Sequence, residues 1–522
     1  MKRTQLVTKS VWCLWVAAIA ALVVLHAVHL RADFPNNSPW MDYSKYTDEG
    51  WYGKAAIEHY VLGSWYVHGD FNPNVALPVL PALEWIVFHF TGVSLVAARL
   101  LILAVFAANL LLAYRIVRTQ APQWAAMSAV TLLAANAFLY AFSRLAILEP
   151  LLILFLLGAW LLALRLAHAA NEMQKKLLLT GIGLLTCLTI LSKTTAIFVI
   201  PSTAFLIWNA HGYKLRDTVK ALGMAGVTAA LPWSGYYLLF VHPRFAYDYH
   251  YLFAANQWMR PETVAEWMWA VWYAIHGSMW IDRWLCLLAL ALMMLSVIFF
   301  RAMWRSPVVG ASLLAAAGYV FFIAWHENVQ PRYYEVVAFP LAFVITIGFH
   351  SLLQARRSAG LMARLRLPLA AAGIGVVVFS TVANVRQMIH WARHPEYSWV
   401  SAASAITRYI DQHPNGRRLL LSISGDNITL VTHLPAITDD YGTWDLAKRI
   451  HTYQPGWFAT WNEIDPGTLE DIQTQYSLEQ VAAYPAFDDP DRNLLILYKM
   501  HPLPVSQLHY NQAFEEAGNA GR

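Results

Sequence analysis

The chain has 522 residues, 58% of them hydrophobic and 13% charged, whereas an ordinary soluble domain carries about 25% charged residues. With 23 Trp, 25 Tyr and a mean hydropathy of +0.41, the excess lies in aliphatic runs long enough to cross a bilayer and in aromatics that favour its interfaces. A single soluble domain is excluded. The formal charge of +5 does not point to nucleic acid, because most Lys and Arg fall in short loops between apolar runs, where they set topology.

In chain order, Lys2, Arg3 and Lys9 precede an apolar stretch at 11–30 that is too long for a signal-peptide core and lacks a small-residue cleavage pattern before Asp33. It reads as a retained signal anchor. Further apolar runs lie near 96–114, 122–141, 150–167, 177–191, 195–209, 219–240, 284–300, 308–325, 334–352 and 368–386, which makes about eleven transmembrane helices. With a cytoplasmic N-terminus the inner segments hold seventeen basic residues and the outer loops ten. The positive-inside rule then favours an odd count and puts everything after Arg386 on the extracytoplasmic side.

Residues 31–95 form a long first outer loop. In 46–67 aromatic and aliphatic residues alternate with Asp48, Glu49, Lys54, Glu58 and His59, and in 78–91, PVLPALEWIVFHFT, two prolines and Glu84 interrupt an apolar run. Both read as interfacial helices lying on the outer face. The expected organisation is a transmembrane domain over 1–394 and a small extracytoplasmic α/β domain over 395–522. In the latter, helices are expected near 398–412, 441–453 and 468–476, and strands near 418–424, 456–461, 479–484 and 493–500. Cys13, Cys187 and Cys286 stand alone in apolar runs and form no disulfide framework.

Four features bring charge to the outer side, where topology does not require it. Asp48-Glu49 is the wet side or N-terminal cap of an interfacial helix, or a carboxylate held as a general base for a hydroxyl acceptor. Arg144 in SRLAILEP snorkels or pairs with Glu149, or it grips a phosphate with two donors. Lys193, isolated between two short spans, needs a partner or a solvated pocket. Arg260 and Arg332, with Arg244, stand among dense aromatics that suit an interfacial belt or a sugar site; Asp439-Asp440 and Asp488-Asp489 read as solvated turns. The many histidines show no metal-binding spacing, and P-loop, dinucleotide-binding and nucleophile-elbow motifs are missing from the sequence. No cofactor is implied, and a divalent metal is left open.

DEGWYGKAA with PALEW and TGVSLVAARL after it, then SRLAILEP, LTILSK, LPW with HPRFAYDY, and QPRYYEVVAFP occur in an order and sidedness that resemble the integral-membrane glycosyltransferases of the C-type (GT-C) superfamily. The pattern is most similar to the protein O-mannosyltransferase and lipid A aminoarabinose transferase group. The resemblance implies a GT-C fold in the inner (plasma) membrane and an activity in cell-envelope glycosylation: transfer of a hexosyl or pentosyl group from a polyprenyl-phosphate carrier to a lipid, glycan or protein acceptor at the outer face. It implies Asp48 as the acceptor-activating base with Glu49 beside it, and Arg144, Lys193, Arg260 and Arg332 as phosphate-binding residues. Tyr52, Glu84, Glu149 and Tyr333 would line the substrate pocket. One departure is PVLPALEW, which stands where aminoarabinose transferases carry a lysine before a Pro-Pro-Leu motif and so argues against lipid A modification in particular. Two rival classes fit many spans with outer charges: a lipid or solute transporter, and an inactive carrier-binding scaffold. No inverted repeat accompanies the spans, which speaks against the first.

Overall fold

A computed structural model describes residues 2–254, 260–326, 329–354 and 361–504; of the segment expected as the C-terminal domain, 505–522 lie outside the described residues. The helices of the first two-thirds are α1 (Lys2–Ala27), α2 (Asp48–Val61), α3 (Val79–Thr91), α4 (Leu95–Arg118), α5 (Gln123–Ala134), α6 (Ala137–Phe142), α7 (Glu149–Leu166), α8 (Glu172–Ser192), α9 (Ile200–Ala210), α10 (Leu215–Tyr236), α11 (His242–Ala254), α12 (Val264–Gly277), α13 (Arg283–Phe299), α14 (Pro307–Trp325), α15 (Glu335–Gln354) and α16 (Leu361–Arg393). After these come α17 (Ser398–Gln412), β1 (Arg417–Leu421), α18 (Gly425–Thr432), β2 (Ala436–Ile437), α19 (Leu446–Tyr453), β3 (Pro455–Trp461), α20 (Pro466–Gln473), β4 (Tyr476–Pro485) and β5 (Leu494–Pro502).

The architecture is that of a polytopic helical membrane protein with a small sheet domain near its C-terminus, as expected. The span count is lower. Among the described residues, eight helices are long and apolar enough to cross a membrane, or nine if the pair α12 and α13, bent by 116°, counts as one span. Of the eleven expected runs, 122–141 is divided and 195–209 is shortened. Asn136 ends the helical part of the first, because its Oδ1 accepts from Leu139 N at 3.0 Å and starts α6 as a new helix. The second opens as a 3₁₀ turn over Thr194–Phe198, after the extended backbone at Lys193, and leaves only the 11-residue α9 with a proline in its first turn.

The chain divides into two compact units. The first comprises Met1–Leu30, Ala76–Leu80 and Arg99–His394. Here α7 packs on α8, α8 on α10, and α15 runs between α5, α13 and α14, so that α15 is buried along nearly its whole length. Most remaining helices bury one face and leave Leu, Val, Ile and Phe on the other, the pattern of lipid-facing spans.

The second unit comprises Arg31–Val75, Pro81–Ala98 and Pro395–Arg522. The first outer loop thus groups with the C-terminal segment, although the sequence placed it with the membrane helices. The reason is packing: Val67 enters the core that Leu419, Leu421, Ile437, Ile450, Phe458 and Met500 form around the sheet. That sheet has the order β2-β1-β3-β5-β4, with β2, β1 and β3 parallel and the β3–β5 and β5–β4 pairs antiparallel. The expected helix 398–412 coincides with α17 and all four expected strands are present, while α18 and the two-residue β2 were not foreseen.

A second tie joins the loop to this segment. α17 lacks a capping side chain of its own, and Asp33 supplies one: Oδ2 accepts from Trp399 N at 2.8 Å and Ser398 Oγ at 3.1 Å, and Oδ1 from Val400 N at 3.3 Å. Asp33→Ala removes these acceptors from a helix start. It is expected to cost about 1–2 kcal/mol of stability, read as a lower melting temperature of the detergent-purified protein, and an unchanged melting temperature would refute the capping role.

Candidate active site

In the first unit, three charges separated in sequence meet. Glu149 begins α7 and is fully buried; Lys193 lies in the break after α8; Arg332 lies in a 3₁₀ turn, Pro331–Tyr334, before α15. The Lys193 ammonium donates to Glu149 Oε1, and Arg332 Nε lies 3.6 Å from the same oxygen. Both cations also lean on the ring of Tyr333, at 4.5 Å for Lys193 Nζ and 5.2 Å for Arg332 Cζ. Glu149 Oε2 is buried without a hydrogen-bond partner. The breaks between helices explain the gathering, since an extended residue and a 3₁₀ turn let these cations enter the bundle. Two cations beside one aromatic ring, sharing one carboxylate oxygen, concentrate the kind of positive charge that pairs with a phosphate.

Arg144 belongs to the same unit and is tied to the chain just after α1. Its guanidinium donates to the carbonyls of Val28 at 2.7 Å and His29 at 2.5 Å and to the Tyr140 hydroxyl at 2.5 Å, while Arg99 donates to Leu30 O at 2.6 Å. The two arginines thereby satisfy carbonyls just beyond the C-terminus of α1. Arg260 is exposed in a coil ahead of α12.

In the second unit, α2 is not the half-wetted interfacial helix the sequence suggested. Asp48, Glu49, Tyr52, Lys54 and Glu58 are all buried. Asp48 Oδ1 accepts from Thr47 Oγ1 at 2.8 Å, and Asn74 holds the helix by accepting from Ala55 N at 2.7 Å and donating to Tyr52 O at 2.8 Å. Glu49 and Gly53, one turn apart, face α3, where a Cβ on Gly53 would lie 2.3 Å from Glu84 Oε2. Glu84 is fully buried with neither oxygen hydrogen-bonded, and burial, with the nearby Glu49, pushes its carboxyl well up.

Sequence reasoning missed the buried network next to this pair. Lys54 Nζ reaches Asp70 Oδ2 at 2.9 Å, Asp426 Oδ2 at 3.3 Å and Glu58 Oε1 at 3.6 Å. Asp70 Oδ1 also accepts from Thr438 Oγ1 at 2.5 Å and Arg449 Nη1 at 3.1 Å. Burial opposes the charge on Asp70, but Lys54, Arg449 and the Thr438 hydroxyl outweigh it and hold the carboxyl below its usual value. Burial likewise opposes the charge on Lys54, yet Asp426, Asp70 and Glu58 raise its value. The only sequence signal was the turn-rich HGDFNPN, with Gly69 at φ +82°. Asp439 and Asp440 are half-buried, in contrast to the solvated turn expected, whereas Asp488 is exposed and Asp489 buried. Among the described residues no group of three or more His, Cys, Asp or Glu could hold a metal ion.

Burial, with Asp70 adding, raises Asp426 to about 6; burial and neighbouring carboxylates raise Asp439 to about 7 and Asp440 to about 6, from an ordinary 3.8. The folded chain then binds these protons more tightly than the unfolded one, so their stabilising contribution is complete below about pH 4 and lost as pH rises through 6 to 7. The melting temperature is expected to be higher at pH 5 than at pH 8, and Asp439→Asn to narrow the gap. A melting temperature that is equal or lower at pH 5 would contradict this.

Residues 73–236 match the family model of dolichyl-phosphate-mannose-protein mannosyltransferases. No curated protein sequence gives a significant match. Solved structures with a similar fold include ArnT from Cupriavidus metallidurans bound to undecaprenyl phosphate, 13% identical, covering 92% of this chain and 98% of that one with a TM-score of 0.59. The archaeal oligosaccharyltransferase AglB from Archaeoglobus fulgidus, in complex with an inhibitory peptide and a dolichol-phosphate, is 12% identical over 96% of this chain and 77% of that one, TM-score 0.51. The arabinofuranosyltransferase AftD from Mycobacteria is 12% identical over 94% of this chain and 40% of that one, TM-score 0.51. The chain has the GT-C fold, and the resemblance read from its motifs holds over the stretch that carries α4, α7 and Lys193.

Proposed function

We propose that this protein is a glycosyltransferase that moves a sugar from a polyprenyl-phosphate carrier to a lipid, glycan or protein acceptor at the outer face of the cell membrane. In this reading the N-terminus is cytoplasmic, and residues 395–522 are extracytoplasmic together with the first outer loop. The observation that carries it is the convergence of Lys193 and Arg332 on Glu149 and Tyr333 within the helical bundle of the first unit. Such a site suits the head of a lipid-borne phosphate better than a soluble nucleotide sugar. The donor class is further supported by two proteins of the same fold, which hold undecaprenyl phosphate and a dolichol-phosphate.

The chemistry is one displacement. The acceptor oxygen forms a bond to the anomeric carbon, the bond from that carbon to the phosphate oxygen breaks, and the polyprenyl phosphate leaves with its electron pair. The acceptor proton passes to the Asp48 carboxylate, and the anomeric configuration inverts, as in base-assisted inverting glycosidases. Lys193 and Arg332 stabilise the charge that builds on the leaving phosphate. Glu149 and Tyr333 hold those cations in place. In this reading Glu49, Tyr52 and Glu84 belong to the acceptor side of the site, and Arg260 contributes to phosphate binding from its exposed coil.

Purified protein is expected to transfer label from one of a panel of polyprenyl-phosphate sugars into membrane extract. Asp48→Asn should lower kcat by about 10²–10⁴-fold, the usual contribution of a general base, with folded protein and donor binding retained. Lys193→Ala and Arg332→Ala should instead weaken donor binding by about 10-fold or more, the scale of a lost charge-assisted hydrogen bond. An active Asp48→Asn enzyme would remove its role as base. A folded wild type that binds the carrier and transfers nothing would point to the scaffold, and one that does not bind it to the transporter.

A further inference from the structure

The carboxylates assigned above to acceptor activation stand on a helix whose placement is set by the C-terminal segment. Gly50, Lys54 and Glu58 follow one another at i, i+4 and i+8 and so form one stripe of α2. That stripe faces α18. A Cβ on Gly50 would come within 2.3 Å of Asn427 N and of Asp426 C and 2.5 Å of Asp426 O. All three are backbone atoms, with no flexible side chain to move aside, so the two helices touch main chain to main chain, two residues from Asp48. One turn further on, Lys54 binds Asp426 of α18, and through Asp70 the same lysine is joined to Thr438 after β2 and to Arg449 of α19. These groups are buried, so bulk solvent screens their attraction little. Tight approach at Gly50 fixes the depth of α2, and the ion network fixes its rotation.

We propose that Gly50 and the Lys54–Asp70–Asp426–Arg449 network are positioning residues for Asp48: the C-terminal α/β segment serves the reaction by seating the helix that bears the base. The inference rests on the functional reading above and deepens it by giving that segment a role in the chemical step. An alanine at Gly50 must push α2 away from α18 by a sizeable fraction of an ångström, and a misplacement of about 1 Å can cost about 10²-fold in rate.

The test uses the full-length protein in detergent and compares kcat per folded molecule, donor binding and melting temperature for wild type, Asp48→Asn, Gly50→Ala, Asp426→Asn and Arg418→Ala. The last breaks only an exposed ion pair with Asp411 and is expected to leave kcat unchanged. Gly50→Ala is expected to lower kcat by about 10–100-fold with donor affinity within about 2-fold of wild type. Asp426→Asn, which keeps the side-chain shape and removes the charge that Lys54 faces, is expected to lower kcat by about 5-fold or more in the same manner. A purely structural role would show as a lower melting temperature with wild-type kcat per folded molecule, and that result in both variants overturns the proposal. If Gly50→Ala does not fold, Asp426→Asn decides alone by the same criterion. No transfer by wild type, or full transfer by Asp48→Asn, overturns the functional reading and this inference with it. Loss in Asp48→Asn with full rate in Gly50→Ala and Asp426→Asn overturns this inference only.

Discussion

Asp70 is the interaction on which the second unit depends. It is fully buried, yet its two oxygens take the Lys54 ammonium, the Arg449 guanidinium and the Thr438 hydroxyl and amide. A buried carboxylate with fewer partners would take up a proton or destabilise the fold by several kcal/mol. Because those partners lie on α2, on the residue after β2 and on α19, satisfying one charge aligns α2 with two segments that lie 368 and 379 residues beyond Asp70 in sequence. The apolar contribution of Val67 to the sheet core and the cap that Asp33 gives to α17 strengthen the same union. Neither replaces its geometry, since an apolar contact has no preferred direction and Asp70 has several.

The membrane unit obeys the same constraint in a drier setting. Several interior cations there are met: Arg144 and Arg99 by carbonyls beyond the end of α1, and Lys193 by Glu149. The two arginines and the lysine resemble one another in sequence, as isolated cations near the ends of apolar runs. Their surroundings separate them. An arginine surrounded by main-chain acceptors closes a helix end, whereas a lysine and an arginine that share one carboxylate oxygen and one aromatic ring gather two positive charges in one place.

The features legible in the sequence were those carried by local pattern. Apolar runs gave the spans, period and composition gave α17 and the four longer strands, and motif order gave the GT-C fold. What escaped depends on single residues or distant partners. Asn136 splits an apolar run that hydropathy reads as continuous, because a capping side chain weighs little in an average over twenty residues. Asp48 and Glu49 were legible as important but not as buried, since the partners that cover α2 come from beyond residue 420. Asp426 and Arg449 carried no signal, being lone charges in a segment where charges are common. Gly50 looked like one of two glycines in DEGWYGKAA, and only the approach of Asn427 shows why a side chain is excluded there.

Glu149 then poses a question of balance that bears on how a phosphate site is kept ready inside a membrane. Without it, Lys193 and Arg332 would stand beside the same ring in a medium that penalises each charge and their repulsion. One shared oxygen offsets both costs, and the Tyr333 ring supplies a further, weaker attraction. A stronger counter-ion, with both oxygens bidentate to Arg332, would close the site to any other anion. Here Oε1 alone is engaged at 3.6 Å from Arg332 Nε while Oε2 makes no hydrogen bond. That is a weak embrace by the standard of a bidentate pair at 2.7–2.9 Å. A carboxylate that stabilises two cations through one oxygen keeps both charged inside the bundle, which a site for a phosphate requires.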